Sequence, residues 1–138
     1  MSLPEAIRHD PRAVGLRTRW AVRLLVVAAR LIARCSPARV RRMLHLVRRG
    51  ARPVAAAEAE SAYRAVTAVS LLCAGREVCL PRSIAVALLC RVRGAWPTWC
   101  VGVRRLPPFA AHAWVEAAGV PVGEQFPADY FCRFYSVP

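Results

Sequence analysis

The sequence predicts an α+β protein, a helical first half followed by a small antiparallel sheet. Three observations carry this. Apolar residues recur at helical spacing in four stretches between Arg19 and Gly94. Beyond Gly94, Thr98–Val103 and Ala111–Ala117 are short runs rich in aromatic and β-branched residues, separated by Pro107-Pro108. A turn at Ala118-Gly119 then leads into a third extended run, about Val120 to Gln125, which makes the second half a meander.

Met1 to Thr18 has no periodicity and reads as a loose arm with one short turn around Ala6. From Arg19 to Cys35, at ~100° per residue, Arg19, Arg23, Arg30 and Arg34 gather opposite Ala21, Leu24, Leu25, Ala28, Leu31 and Ile32, the pattern of an amphipathic helix. Ser36 and Pro37 supply an N-cap and a first-turn proline for a second helix. In it Val40, Met43, Leu44 and Val47 oppose Arg41, Arg42, His45, Arg48 and Arg49 until Gly50. After a break at Arg52-Pro53, Ala55 to Cys73 carries Tyr63, Val66, Val69, Ser70 and Cys73 at helical spacing, closing near Gly75. Only Arg76, Glu77 and Val78 lead into a fourth helix, Cys79 to Gly94, which should pack on the third. There Pro81 is tolerated because it lies in the first turn, Ile84, Leu88 and Arg91 recur at helical spacing, and Gly94 supplies the stop.

The chain of 138 residues is one compact unit in size, with 57% hydrophobic residues, so it folds despite a formal charge of +13 from 21 basic and 8 acidic side chains. That charge suits an acidic partner. No zinc-ligand spacing, aromatic RNP-like segment or helix-turn-helix pattern points to nucleic acid. The two arginine-rich helices are of a kind that can touch a membrane peripherally or dock on a partner, although a solvated face over a core-facing stripe is the commoner role. Six cysteines occur without a CxxC pair, so neither a disulfide framework, a metal site nor a cofactor is legible. The most apolar run, Leu24 to Ala29, is bounded by Arg23 and Arg30 and is too short for a membrane span or a signal peptide, which makes the cytoplasm the expected compartment.

Chemistry gathers around the fourth helix. Cys79 at its N-terminus meets unpaired N–H groups and the positive end of the helix dipole, which favour thiolate over thiol. The structural alternative is a buried thiol. In the second strand, alternation puts His112, Trp114 and Glu116 on one face and Ala111, Ala113, Val115 and Ala117 on the other, so the small residues face the core and His112 faces a cleft. A three-residue loop, Ala117 to Gly119, would set Glu116 opposite Val120 and His112 opposite Glu124; a two-residue loop would set Gln125 there instead. Cysteine, histidine and carboxylate in that order make a nucleophile, a base and an orienting acid for acyl transfer. Arg82 and Ser83, in the first turn of the helix, are placed either to reinforce the thiolate or simply to pack.

The blocks Cys79-Leu-Pro-Arg-Ser-Ile-Ala-Val-Ala-Leu-Leu, Val101-Gly-Val-Arg, Phe109-Ala-Ala-His-Ala-Trp-Val-Glu and Gly119-Val-Pro-Val122 resemble the lasso-peptide leader peptidases. These are the B2 proteins, or the C-terminal halves of fused B proteins. The resemblance spans roughly Ser70 to Tyr135 and implies a transglutaminase-like, papain-like cysteine peptidase fold, divided into a basic helical segment, 1–54, and a catalytic core, 55–138. It implies Cys79 as nucleophile and His112 as base. The family's usual aspartate falls on Glu124, one methylene longer, with Asp129 as the alternative acid. It further implies a precursor peptide as substrate, a separate leader-binding B1 protein and a lasso cyclase as partners, and this chain as a discrete B2 subunit. Two other functions are compatible with the residues: a non-catalytic adaptor on the same fold, and a cysteine-dependent acyl transferase with an amine acceptor.

Overall fold

In the run from Cys79 to Val92 no helical face is polar, and a helix that is apolar all round must be covered on all sides. A computed structural model describes residues 14–70 and 78–138 and puts this helix at the centre. The element order is α1 (Leu16–Ala33), α2 (Pro37–Val47), β1 (Arg52–Pro53), α3 (Ala56–Val69), α4 (Cys79–Val92), β2 (Ala95–Trp96), β3 (Thr98–Arg104), β4 (Ala111–Ala117), β5 (Val120–Pro121), a 3₁₀ turn (Ala128–Tyr130) and β6 (Phe131–Val137). Helices α1 and α3 and strand β4 all pack against α4, and every residue from Arg82 to Cys90 is buried. Removing Ile84, Leu88 and Leu89 from water stabilises the fold by about 1.5–3 kcal/mol each. The expected α+β class is the observed one.

Several boundaries differ from the sequence expectation. Helix α1 already starts at Leu16, inside the segment expected to be a loose arm, with the Arg19 N–H bonded to the Gly15 carbonyl. The rest of that arm, with the turn at Ala6, lies outside the described residues. The third helix stops at Val69, short of Cys73, because Ser70 turns to extended dihedrals (φ −112°, ψ 109°). Cys73, Gly75, Arg76 and Glu77 fall outside the described residues.

The faces of α1 also differ. Val22, Val26 and Ala29 are its buried residues, whereas Leu24 and Leu31, expected on the core side, are exposed. In α4, Arg91 serves neither core nor solvent: its Nε donates to the Val47 carbonyl (2.8 Å) and Nη2 to the Arg49 carbonyl (3.1 Å). It thereby satisfies carbonyls left open at the end of α2.

The main sheet is antiparallel throughout, in the order β5-β4-β3-β6. Strand β6 is an addition to the expected set, as is the short parallel pair β1–β2. The β3–β6 register shifts between Val101 and Gly102, and a Cβ at Gly102 would lie 2.1 Å from the Cys132 carbonyl oxygen, so this bulge requires glycine. Ala113, Val115, Ala117 and Trp99 join the core shared with α4. The Trp99 Nε1–H donates to Ser83 Oγ (3.0 Å), whose hydroxyl donates to the Leu80 carbonyl (2.9 Å), locking sheet to helix. On the opposite face Cys100, Trp114 and Phe131 form a second apolar cluster, so β4 is buried on both sides rather than half solvated.

Candidate active site

Cys79 is the first residue of α4, preceded by Val78 at the cap position, and is half-buried. The strand that packs on this helix end is β4. Burial pushes the Cys79 thiol up, but hydrogen bonding to His112 and to the Ala113 backbone N–H, with the charges of His112 and Arg82, outweighs burial and holds the pKa below the usual thiol value. The Ala113 N–H is a stabilising donor that sequence reasoning missed, since a backbone group leaves no residue signature.

His112 Nε2 lies 2.9 Å from Glu124 Oε1, and both side chains are mostly covered. With Nε2 so engaged, Nδ1 is the ring nitrogen left for the thiol. Burial disfavours the imidazolium, yet hydrogen bonds to Cys79 and Glu124 and the charges of both push the His112 pKa up to about 9. A lowered thiol facing a raised imidazole favours the thiolate–imidazolium form of the pair. The ring is also held by stacking, with Phe131 at 4.8 Å and Trp114 at 5.9 Å between centroids. Phe131, on the strand that the sequence reading omitted, is thus part of the site. Aromatic rings, in place of a bare strand face, flank the histidine.

Glu124 reaches His112 by a route other than the one the register argument assumed. Strand β4 pairs with β5 as Ala117↔Val120 and Glu116↔Pro121, around a two-residue turn in which Ala118 (φ 52°) and Gly119 (φ 79°) both have positive φ. A continuing ladder would carry Gln125 to His112. The strand ends at Pro121, however, and Gly123, at φ 72°, bends the chain so that Glu124 meets the ring instead. The Tyr63 ring of α3 presses against this bend, and a Cβ on Gly123 would lie 2.3 Å from it. Asp129, the alternative acid, sits exposed in the 3₁₀ turn.

The remaining residues singled out from sequence divide. Arg82 is buried, lies over the Tyr63 ring (5.9 Å) and contributes positive charge near Cys79. Ser83 packs, through the Trp99 bond described above. Glu116, expected beside a cleft, is buried: it accepts from Trp114 Nε1 (2.9 Å) and pairs with Arg133 Nη2 (2.8 Å). Of the other thiols, burial pushes Cys90 to about 11 and Cys100 to about 12, while Cys132 is exposed. Among the described residues no cluster of His, Cys, Asp and Glu is suited to hold a metal ion. A cavity of about 550 Å³ between Arg48–Pro53, Trp96, Thr98 and Pro138 is lined by none of the three site residues.

A thiol at a helix start, a histidine on the strand packed against it and a carboxylate behind the ring can form a thioester with a bound acyl group. A family model described as the transglutaminase-like superfamily matches residues 16–135. The chain belongs to this superfamily. Its helices over a small antiparallel sheet are the transglutaminase-like architecture, consistent with a cysteine peptidase-type fold. The superfamily match includes α1 and α2, and so reaches well before the Ser70–Tyr135 stretch that carries the motif resemblance. Comparison with curated proteins and with solved structures returned no match. No described helix is long and apolar enough to cross a membrane.

Proposed function

We propose that this transglutaminase-like protein is a cysteine peptidase that removes the leader from a ribosomally made lasso-peptide precursor, acting with a leader-binding B1 protein and a lasso cyclase. The observation that carries the peptidase reading is the pairing of Cys79, held below its usual pKa, with a His112 ring whose far nitrogen is 2.9 Å from Glu124. The narrower substrate reading rests on the Cys79–Leu89 and Phe109–Glu116 sequence blocks, which resemble those of the lasso leader peptidases.

In the proposed reaction the Cys79 thiolate attacks the carbonyl carbon of the leader–core bond and forms the C–S bond. The Cys79 backbone N–H, at the start of α4, is the natural donor to the oxyanion. His112 delivers its proton to the leaving amine as the C–N bond breaks, which leaves leader as a thioester and frees the core. Neutral His112 then takes a proton from water, the hydroxide attacks the thioester carbon, and cleavage of the C–S bond returns thiolate and imidazolium. Glu124 keeps the ring oriented and balances its charge throughout. A B1 protein contributes by raising the local concentration of leader near Cys79.

The test is mass analysis of a precursor incubated with the protein, with and without B1. Separate leader and core masses are expected, more strongly with B1, and none with Cys79→Ala. Cleavage that survives Cys79→Ala would leave the protein a non-catalytic adaptor, and a product joined to an amine in place of free leader would make it an acyl transferase.

A further inference from the structure

Helix α1 has two apolar faces, and the fold uses only one. On a helical wheel, Val22, Val26 and Ala29 point to the core, whereas Leu16, Trp20, Leu24, Val27 and Leu31 fall within an arc of about 80° on the far side. Each of these five is 59–69% exposed, so none of the described residues covers them. The stripe runs the length of the helix, roughly 22 Å at 1.5 Å per residue. Along one flank stand Arg19, Arg23, Arg30 and Arg34, with the Arg23 guanidinium 5.5 Å over the Trp20 ring. Between Val14 and Ala57 the chain has eleven arginines and neither an aspartate nor a glutamate.

We propose that α1 seats the protein on an anionic lipid bilayer, with the Leu16–Leu31 stripe in the interface and the arginine flank on the headgroups. Apolar side chains on one arc, an interfacial tryptophan and an arginine-only polar border are what such a surface binds. A second copy of the chain is the wrong occupant, because pairing two stripes would bring the arginine borders together with no acid to offset them. An acidic protein fits less well, because protein interfaces centre on a few anchors desolvated in pockets, whereas this stripe is a continuous, evenly exposed row along the helix. The inference concerns α1 alone and holds whether or not Cys79 is a peptidase nucleophile.

Vesicle sedimentation of the full chain tests it, using phosphatidylcholine alone and phosphatidylcholine mixed with phosphatidylglycerol. Binding is expected to the mixed vesicles at low salt, weakening as salt rises. Because Trp96, Trp99 and Trp114 are buried, a blue shift in emission on binding would report Trp20 entering the interface. Arg23→Gln with Arg30→Gln should lower partitioning about thirtyfold, at ~1 kcal/mol for each arginine near an anionic surface. Leu24→Asp with Leu31→Asp should abolish binding while circular dichroism and the alkylation rate of Cys79 stay at wild-type values. Protein that remains in the supernatant at low salt, binds neutral vesicles equally, or binds unchanged with the aspartate pair would overturn the proposal. The first of these would leave the stripe to an acidic protein partner.

Discussion

Two carboxylates meet the face of β4 that turns away from α4, and they have opposite fates. Glu116 lies inside a seven-residue strand, one residue from its end, and is clamped by the Trp114 indole and by Arg133. Glu124 comes from a bend beyond a two-residue strand, and its partner is His112. The chemical group is the same. What differs is whether the partner releases a proton in the working range: arginine does not, whereas His112 does so near pH 9. Glu116 therefore belongs to the architecture, and Glu124 is placed where chemistry can use it.

Removing the nucleophile gives the largest effect and sets the baseline for both acids. Cys79→Ala should reduce hydrolysis by about 10³-fold or more. Adding Glu124→Gln to it should cost nothing further in rate, while adding Glu116→Gln should still lower the melting temperature. A further drop in rate in the first double variant would show that Glu124 acts apart from the thiol and its base.

Next in size is Glu124→Gln alone, with a loss of roughly 10²-fold in kcat/KM, since an amide can hold the ring but cannot balance its charge. The active pair needs Cys79 deprotonated and His112 protonated, so activity should rise through the lowered thiol pKa and fall near pH 9. The glutamine variant should move the alkaline limb to lower pH, because it removes two of the influences that raise His112. An unmoved limb would argue against this pairing in solution. Glu124→Asp should keep most of the activity.

Gly123→Ala comes third. A methyl there meets the Tyr63 ring and a positive φ, so the bend must shift and carry Glu124 off the imidazole, with a rate loss of roughly tenfold to 10²-fold. Rescue by Tyr63→Ala would identify the ring as the obstacle. Smallest in rate is Glu116→Gln: stability should fall by about 1–3 kcal/mol in a denaturant titration, while the alkaline limb stays put. A shifted limb would mean that Glu116 reaches His112 through Trp114.

The contrast also marks what the sequence could show. Cys79 was legible because Pro81 and Gly94 punctuate α4, and His112 because β4 alternates small and large residues. Glu124 was reached through a three-residue loop that does not exist; the real link is a turn of positive φ followed by a bend at Gly123. Spacing in a sequence fixes a ladder only as long as the ladder continues. The burial of Glu116 is illegible because the cation that pairs with it, Arg133, comes from β6, a strand that the sequence pattern does not predict. In α1 two apolar arcs merged on paper into one, because a helical wheel ranks residues by angle without saying which arc has a neighbour.

The hold on Glu124 also has a consequence for warming. Main-chain ladder bonds melt with the domain, but the bend at Gly123 lies just past the last of them, from the Val122 N–H to the Val115 carbonyl, with the Tyr63 ring of α3 against it. Segments tethered this way open at free energies well below global unfolding. Turnover should therefore fade at temperatures where circular dichroism still reports an intact fold, and return on cooling, so that the working ceiling of the protein is set by a local hinge and not by its core.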